Sequence, residues 1–252
     1  ISSHRPKIVV IGSCNTDMVV KANRLPVPGE TILGGTFYMN PGGKGANQAI
    51  AAARLGSEVT FISKIGYDLF GLQALEIYRS EKINTEFIFT DQKSPSGVAL
   101  ISVDSFGENS IIVAPGASRS LSIEDINKAE EKIKESDIIL MQLEVPIETV
   151  EYAATIAYKY GKKVILNPAP ASTLSNSFLK NVHTILPNRI EAEMLSGIKV
   201  MDIESAHRAA KAIGEKGIEN VVITLGKDGA YVKEKDTSVS YTHLTLPTIC
   251  SV

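Results

Sequence analysis

Apolar positions along the chain gather in short β-branched runs, separated by stretches in which they recur at helical spacing. Residues 6–12, PKIVVIG, predict a buried strand that ends on glycine. A helix is expected at residues 44–55, a strand at 58–65 and an amphipathic helix at 68–81. Residues 86–90, 98–103 and 109–113 read as strands, with Gly107 in a hairpin-like turn between the last two. From residue 122 strands and helices alternate again: helix 122–134 before strand 137–142, then helix 146–160 before strand 163–167. A short strand at 184–186 precedes helices at 190–195 and 202–216, and strands follow at 220–224 and 229–233.

Such alternation predicts an α/β fold, a doubly wound and mainly parallel sheet covered by helices. The strands that interrupt it, at about 86–114, are expected to join the segment 15–40 in a small separate sheet that forms a lid. Residues 1–237 then make one α/β domain. With 252 residues, 44% hydrophobic and 21% charged, the chain can bury a substantial core. A net charge of -2 gives no electrostatic reason to expect nucleic acid or an anionic membrane as partner. No apolar run approaches membrane-spanning length, and residues 1–7 hold no signal-peptide core. Cys14 and Cys250 are too few for a disulfide framework or a cysteine-rich metal site. These features predict a cytoplasmic protein, and the absence of an initiator Met suggests a trimmed or incomplete start.

Residues 41–56, PGGKGANQAIAAARLG, carry the first candidate chemistry. Gly42, Gly43 and Gly45 permit a tight turn and close approach of backbone to a ligand. Lys44 adds a flexible point charge, and Asn47 both a donor and an acceptor on the first helical turn. A nucleotide P-loop is excluded, because GxxxxGK[ST] is not matched: Lys44 is followed by Gly45. An ordinary glycine turn into a helix remains the plain alternative.

In open α/β sheets ligands lie beyond the carboxyl ends of the strands. Asn15, Thr16 and Asp17 follow the first strand, Glu144 follows strand 137–142, and Asn167, Asn188 and Thr224 end later strands. Each alone reads as a cap or turn residue; together they point to one edge. Asp17 and Glu144 are acceptors suited to adjacent sugar hydroxyls, while Lys44 and Asn47 can donate. The turn Thr224, Leu225, Gly226, Lys227, Asp228 and Gly229 offers a hydroxyl and backbone amides to a phosphate chain, with a plain glycine hairpin as the alternative. His183 and His207 lack metal-ligand spacing and read as surface or helix-face residues, and Met141 as a core residue.

Taken together, IGSCNTDMV, NPGGKGANQAIAAARLG, MQLEVP, LNPAPA, PNRIEAEMLSG and ITLGKDG resemble the ribokinase (PfkB) family of carbohydrate kinases, from about residue 8 to 231. The resemblance implies a ribokinase-like fold and ATP-dependent phosphorylation of the 5-hydroxyl of D-ribose. It implies that Asn15, Thr16, Asp17, Gly43, Lys44, Gly45, Ala46, Asn47 and Glu144 bind the sugar. Asn188 and residues 224–229 are implied as nucleotide contacts, and Glu191 as a carboxylate that organises Mg²⁺ through water. A homodimer through the β lid and a monovalent cation such as K⁺ are implied as well. Other sugar or nucleoside kinases, such as a deoxyribokinase or fructokinase, are alternatives within the family. A non-catalytic sugar-binding protein is the alternative outside it.

Two departures qualify that expectation. The family's second motif, approximately DTTGAGD, does not follow ITLGKDG, so its catalytic aspartate, part of the adenine site and the cation loop are expected to be missing and the chain inactive. Arg189 also stands where an acidic residue is common in the family. Residues 238–252, SVSYTHLTLPTICSV, offer no helix or clear strand. Val239 to Thr248 can be encoded by GTC TCT TAT ACA CAT CTG ACG CTG CCG ACG, which matches read-through of a transposase-based sequencing adapter. The tail is therefore expected to be non-native, replacing the C-terminal part of the fold.

Overall fold

In the computed structural model, residues 5–235 and 237–241 are described. The chain divides between Ala153 and Ala154 into two compact units.

The first unit opens with strands β1 (Lys7–Ile11), β2 (Asn15–Lys21) and β3 (Thr36–Gly42), then helix α1 (Lys44–Arg54). Strand β4 (Glu58–Gly66) and helix α2 (Leu69–Ser80) follow, then β5 (Ile88–Asp91), β6 (Gly97–Val103) and β7 (Asn109–Ala114). After a 3₁₀ turn at Gly116–Ser120 come the short helices α3 (Ile123–Lys128) and α4 (Glu130–Glu135), strand β8 (Ile138–Met141) and the first half of helix α5 (Ile147–Lys159), within which the division falls. Strands β8, β1, β4 and β5 pair in that order, all parallel. Their β-branched and aliphatic runs are buried against helices: Val10, Phe61, Ile65, Ala49, Ala74 and Tyr78 share one core. The rings of Phe61 and Tyr78 meet edge to face, with centroids 5.4 Å apart.

Strands β3, β2, β6 and β7 form the small sheet. Its register separates two faces. Met18 lies opposite Met39 and Leu100, Val20 opposite Phe37, and Leu100 opposite Ile112. That face is apolar and largely exposed. Asp17, Val19 and Ala99 occupy the other face. The strand expected at 86–90 departs from the predicted lid, since β5 pairs with β4 instead.

The second unit holds β9 (Lys163–Leu166), α6 (Asn176–Leu179), β10 (Thr184–Ile185), α7 (Arg189–Ser196) and α8 (Ile203–Gly214). Strands β11 (Asn220–Thr224), β12 (Ala230–Glu234) and β13 (Thr237–Tyr241) complete it. Strands β9, β10 and β11 are parallel, while β12 and β13 are added antiparallel.

Two further expectations are corrected. The helix read at 122–134 is two helices. Ala129 donates to the Ile126 carbonyl three residues back, a tightened turn that leaves the apolar spacing of Ile126, Ala129 and Ile133 intact and so leaves no trace in the pattern. The stretch from 238 was expected to hold no clear strand, yet 237–241 form β13, with Val239 opposite Val232. Pairing with β12 satisfies the backbone groups on the side facing that strand, although its side chains are exposed. Residues 242–252, with His243 and Cys250, lie outside the described residues.

Candidate active site

The chain leaves β1 through Gly12, Ser13 and Cys14 and enters β2 at Asn15, where β3 returns in register with Asn15 opposite Gly42. This places the start of β2 against the glycine turn into α1. A Cβ on Gly42 would sit 2.0 Å from Asp17 Oδ1, so only glycine leaves room for that carboxylate. Gly43, at φ 90°, makes the turn and caps α1.

Glu144, just past β8, is tied to the same turn. Its Oε2 accepts from the Lys44 backbone N–H at 2.9 Å and from Ser13 Oγ. Its Oε1 lies 3.7 Å from Lys44 Nζ. Burial raises the Asp17 pKa first, and the negative charge of Glu144 raises it further, while Lys44 partly offsets both. Asp17, Lys44 and Glu144 thus share one electrostatic environment.

Other residues expected here divide by role. Asn15 is buried, and its Oδ1 has no hydrogen-bond partner. Asn47 is half-buried on the first turn of α1, its N–H bonded to the Gly43 carbonyl at 3.0 Å. Thr16 alternates onto the sheet face opposite Asp17. Gly45 packs on the backbone of Gly12 and Ser13, and the Ala46 methyl is buried in the core. Both serve close packing of α1 against β1.

In the second unit Asn188 and Glu191 form a capping box at the start of α7. Asn188 Oδ1 accepts from Glu191 N at 2.9 Å, and Glu191 Oε2 accepts from Asn188 N at 2.8 Å. The turn after β11 is closed by Leu225 N to the Gly229 carbonyl at 2.8 Å, around a short 3₁₀ segment, Gly226–Asp228. Thr224, Gly226, Lys227 and Asp228 are exposed, whereas Leu225 and Gly229 are buried. A Cβ on Gly226 would meet nothing within 4 Å, so the turn faces open space. A cleft of about 670 Å³ beside it is lined by Arg189, Met201, Ile203, Leu225 and Lys227, among others.

The sequence profile of pfkB family carbohydrate kinases matches residues 5–247. The chain belongs to the PfkB family of carbohydrate kinases. It is 46% identical to the ribokinase of Haemophilus influenzae over 234 residues, covering 93% of this chain and 76% of that one. It is 39% identical to the deoxyribokinase of Salmonella typhi, covering 92% of this chain and 76% of that one. The structure of Arabidopsis thaliana ribokinase complexed with ribose and ATP superposes with a TM-score of 0.85 at 28% identity, covering 95% of this chain and 78% of that one.

In this PfkB kinase several contributors escape sequence reading. Ser13 carries no motif of its own, yet it holds Glu144. Gly97 lies where a Cβ would be 2.1 Å from Asn15 Oδ1, and a glycine directly before the strand predicted at 98–103 is the kind of signal that marks such an approach. His183 and His207 stand apart from this chemistry: His183 Nδ1 pairs with Thr184 Oγ1 at 2.8 Å and His207 Nδ1 with the Tyr231 hydroxyl at 2.7 Å. Met141 is fully buried.

Among the described residues no three His, Cys, Asp or Glu side chains gather as metal ligands. Glu191 is committed to the cap of α7, its Oε2 accepting from Asn188 N at 2.8 Å. The exposed turn at Gly226 fits a phosphate chain, since its amide has no backbone partner and lies beside open space.

Proposed function

We propose that this kinase acts on D-ribose, giving ribose 5-phosphate at the expense of ATP. The observation that carries the reading is the cluster of Asp17, Lys44 and Glu144 around the Gly42 and Gly43 turn. Two carboxylates and an ammonium group, with Asn15 and Asn47 beside them, match a polyol that donates and accepts along one edge. Similarity to a ribokinase at 46% identity supports ribose over other sugars.

In this reading Asn15, Asp17, Gly43, Lys44, Asn47 and Glu144 orient the sugar, with Gly45 and Ala46 seating the helix that presents them. Residues 224–229 receive the nucleotide phosphates. Holding both reactants in place replaces a bimolecular encounter by a near-attack arrangement. A bound Mg²⁺ would supply neutralisation of the phosphate charge, and Glu191 would be the residue that helps to hold it. No residue of the described chain is assigned as the base. The GAGD-like segment that the family resemblance would supply is not in this sequence, so the 252-residue chain alone is read as inactive. A K⁺ site is implied by the family resemblance alone.

Residues up to 237 are taken as one kinase domain, working in the cytoplasm as a homodimer through the exposed apolar face of the small sheet. The agreement of Val239–Thr248 with a translated adapter sequence supports reading residues 239–252 as foreign to the parent gene, and a natural locus that continues with codons for SYTHLTLPT overturns it.

Calorimetric titration of the chain with D-ribose, 2-deoxy-D-ribose and D-fructose tests the substrate. Preference for ribose is expected. Preference for 2-deoxyribose would establish the second reading, which the 39% identity to a deoxyribokinase favours. Ribose-dependent ADP release, expected from the intact gene product, should be absent from this chain.

A further inference from the structure

In the second unit Arg189, the residue that departs from the family's acidic preference, bonds to three separate segments of the chain. It opens α7, where the helix dipole disfavours a cation. Its guanidinium nevertheless makes four hydrogen bonds. Nη1 donates to the carbonyls of Val200 at 3.3 Å and Met201 at 2.9 Å. Nη2 donates to the Leu225 carbonyl at 3.2 Å and to Asp228 Oδ2 at 2.8 Å. One side chain thereby joins the start of α7, the link before α8 and the turn after β11.

The Leu225 contact has a directional consequence. A trans peptide is planar, with its C=O and N–H pointing to opposite sides. Turning the Leu225 carbonyl onto Arg189 therefore turns the Gly226 N–H away from it. That N–H makes no backbone hydrogen bond, and Gly226 holds φ at 63°, a conformation that glycine supplies without a Cβ penalty. Asp228 N then closes onto the same Leu225 carbonyl at 3.3 Å. Asp228 is bound at its other end by the guanidinium, so the turn is gripped at its entry and at its exit.

We propose that Arg189 is a positioning residue that fixes the Leu225–Gly226 peptide so that the Gly226 amide faces the nucleotide phosphates. The nucleotide part rests on the reading of residues 224–229 given above; the orientation of the turn does not. A lysine cannot substitute, because one ammonium cannot span four acceptors arranged around a planar fork.

The test measures two things on the 252-residue chain: Mg-ATP affinity by calorimetry, and amide hydrogen exchange at Leu225, Asp228 and Gly229. Arg189→Ala is expected to weaken Mg-ATP about tenfold and to speed exchange at the three amides roughly tenfold, with D-ribose affinity unchanged. Arg189→Lys, which keeps the charge and most of the stem should the alanine variant fail to fold, is expected to behave the same way. Asp228→Asn, which leaves the Leu225 carbonyl in place, is expected to have a smaller effect. Unchanged exchange in Arg189→Lys, or full rescue of nucleotide affinity by lysine, overturns the proposal. If the unsubstituted chain binds no Mg-ATP, the nucleotide reading fails on its own. Exchange then decides the role of Arg189: acceleration supports it and no change removes it.

Discussion

Lys44 meets Glu144 twice, once through its backbone N–H at 2.9 Å from Oε2 and once through its ammonium at 3.7 Å from Oε1. The carboxylate thus receives both the first N–H of α1 and the charge of that residue's side chain. Glu144→Gln keeps the shape but removes the charge and sets an amide NH₂ against donors. Loss of a charge-assisted hydrogen bond costs about 1.5–3 kcal/mol, so D-ribose affinity should fall about ten- to a hundredfold. Calorimetry checks this, and unaltered affinity would place the sugar elsewhere.

Asp17 offers a test of sign. Its folded pKa is raised above the ordinary 3.8 by burial and by Glu144. The protonated form is therefore favoured by folding, a contribution fully present below the unfolded pKa and lost as pH rises through the folded one. At neutral pH the ionised carboxylate costs stability. Asp17→Asn should raise the melting temperature at pH 7, lose that gain below the ordinary carboxylate pKa, and weaken sugar binding. A lower melting temperature at pH 7 would show that Asp17 stabilises the fold.

Asp91 behaves in the opposite sense. Ser120 Oγ donates to it, as do the N–H groups of Lys93 and Ser94, and its pKa falls to about 2 from 3.8. Its contribution is present above the unfolded pKa and is lost as pH falls from 3.8 towards 2. Ser120→Ala should move acid unfolding to higher pH, followed by circular dichroism between those limits. An unmoved transition would mean that the backbone donors suffice.

The small sheet exposes Val20, Phe37, Met39, Leu100 and Ile112 on one face. Ile112→Asp places a charge in the middle of that patch. Sedimentation should show a dimer before the substitution and a monomer after it, with D-ribose affinity still measurable. A dimer that survives the change uses another surface.

Much of this was legible in the sequence because parallel strands within a covered sheet read as β-branched runs, as in KIVVI of β1. Asp17, Lys44 and Glu144 were legible because glycine turns and strand ends mark the ligand edge of such sheets. What escaped depends on contacts distant in sequence. Ser13 meets Glu144 across 131 positions and Arg189 reaches Leu225 across 36, and no local periodicity encodes either. The partition of strands between sheets also escaped, since β5 and β6 share one alternation but pair with different neighbours. The capping box escaped as a pair: Asn188 was read as a possible cap and Glu191 only as a metal organiser, although N-R-I-E has the spacing of a box.

Ser13 and the Lys44 N–H hold Glu144 through contacts made entirely within the protein. A carboxylate already fixed by its own protein has little rotamer entropy left to lose when a ligand arrives. Substituting Ser13 should therefore weaken binding through preorganisation alone, at a residue that need not touch the sugar.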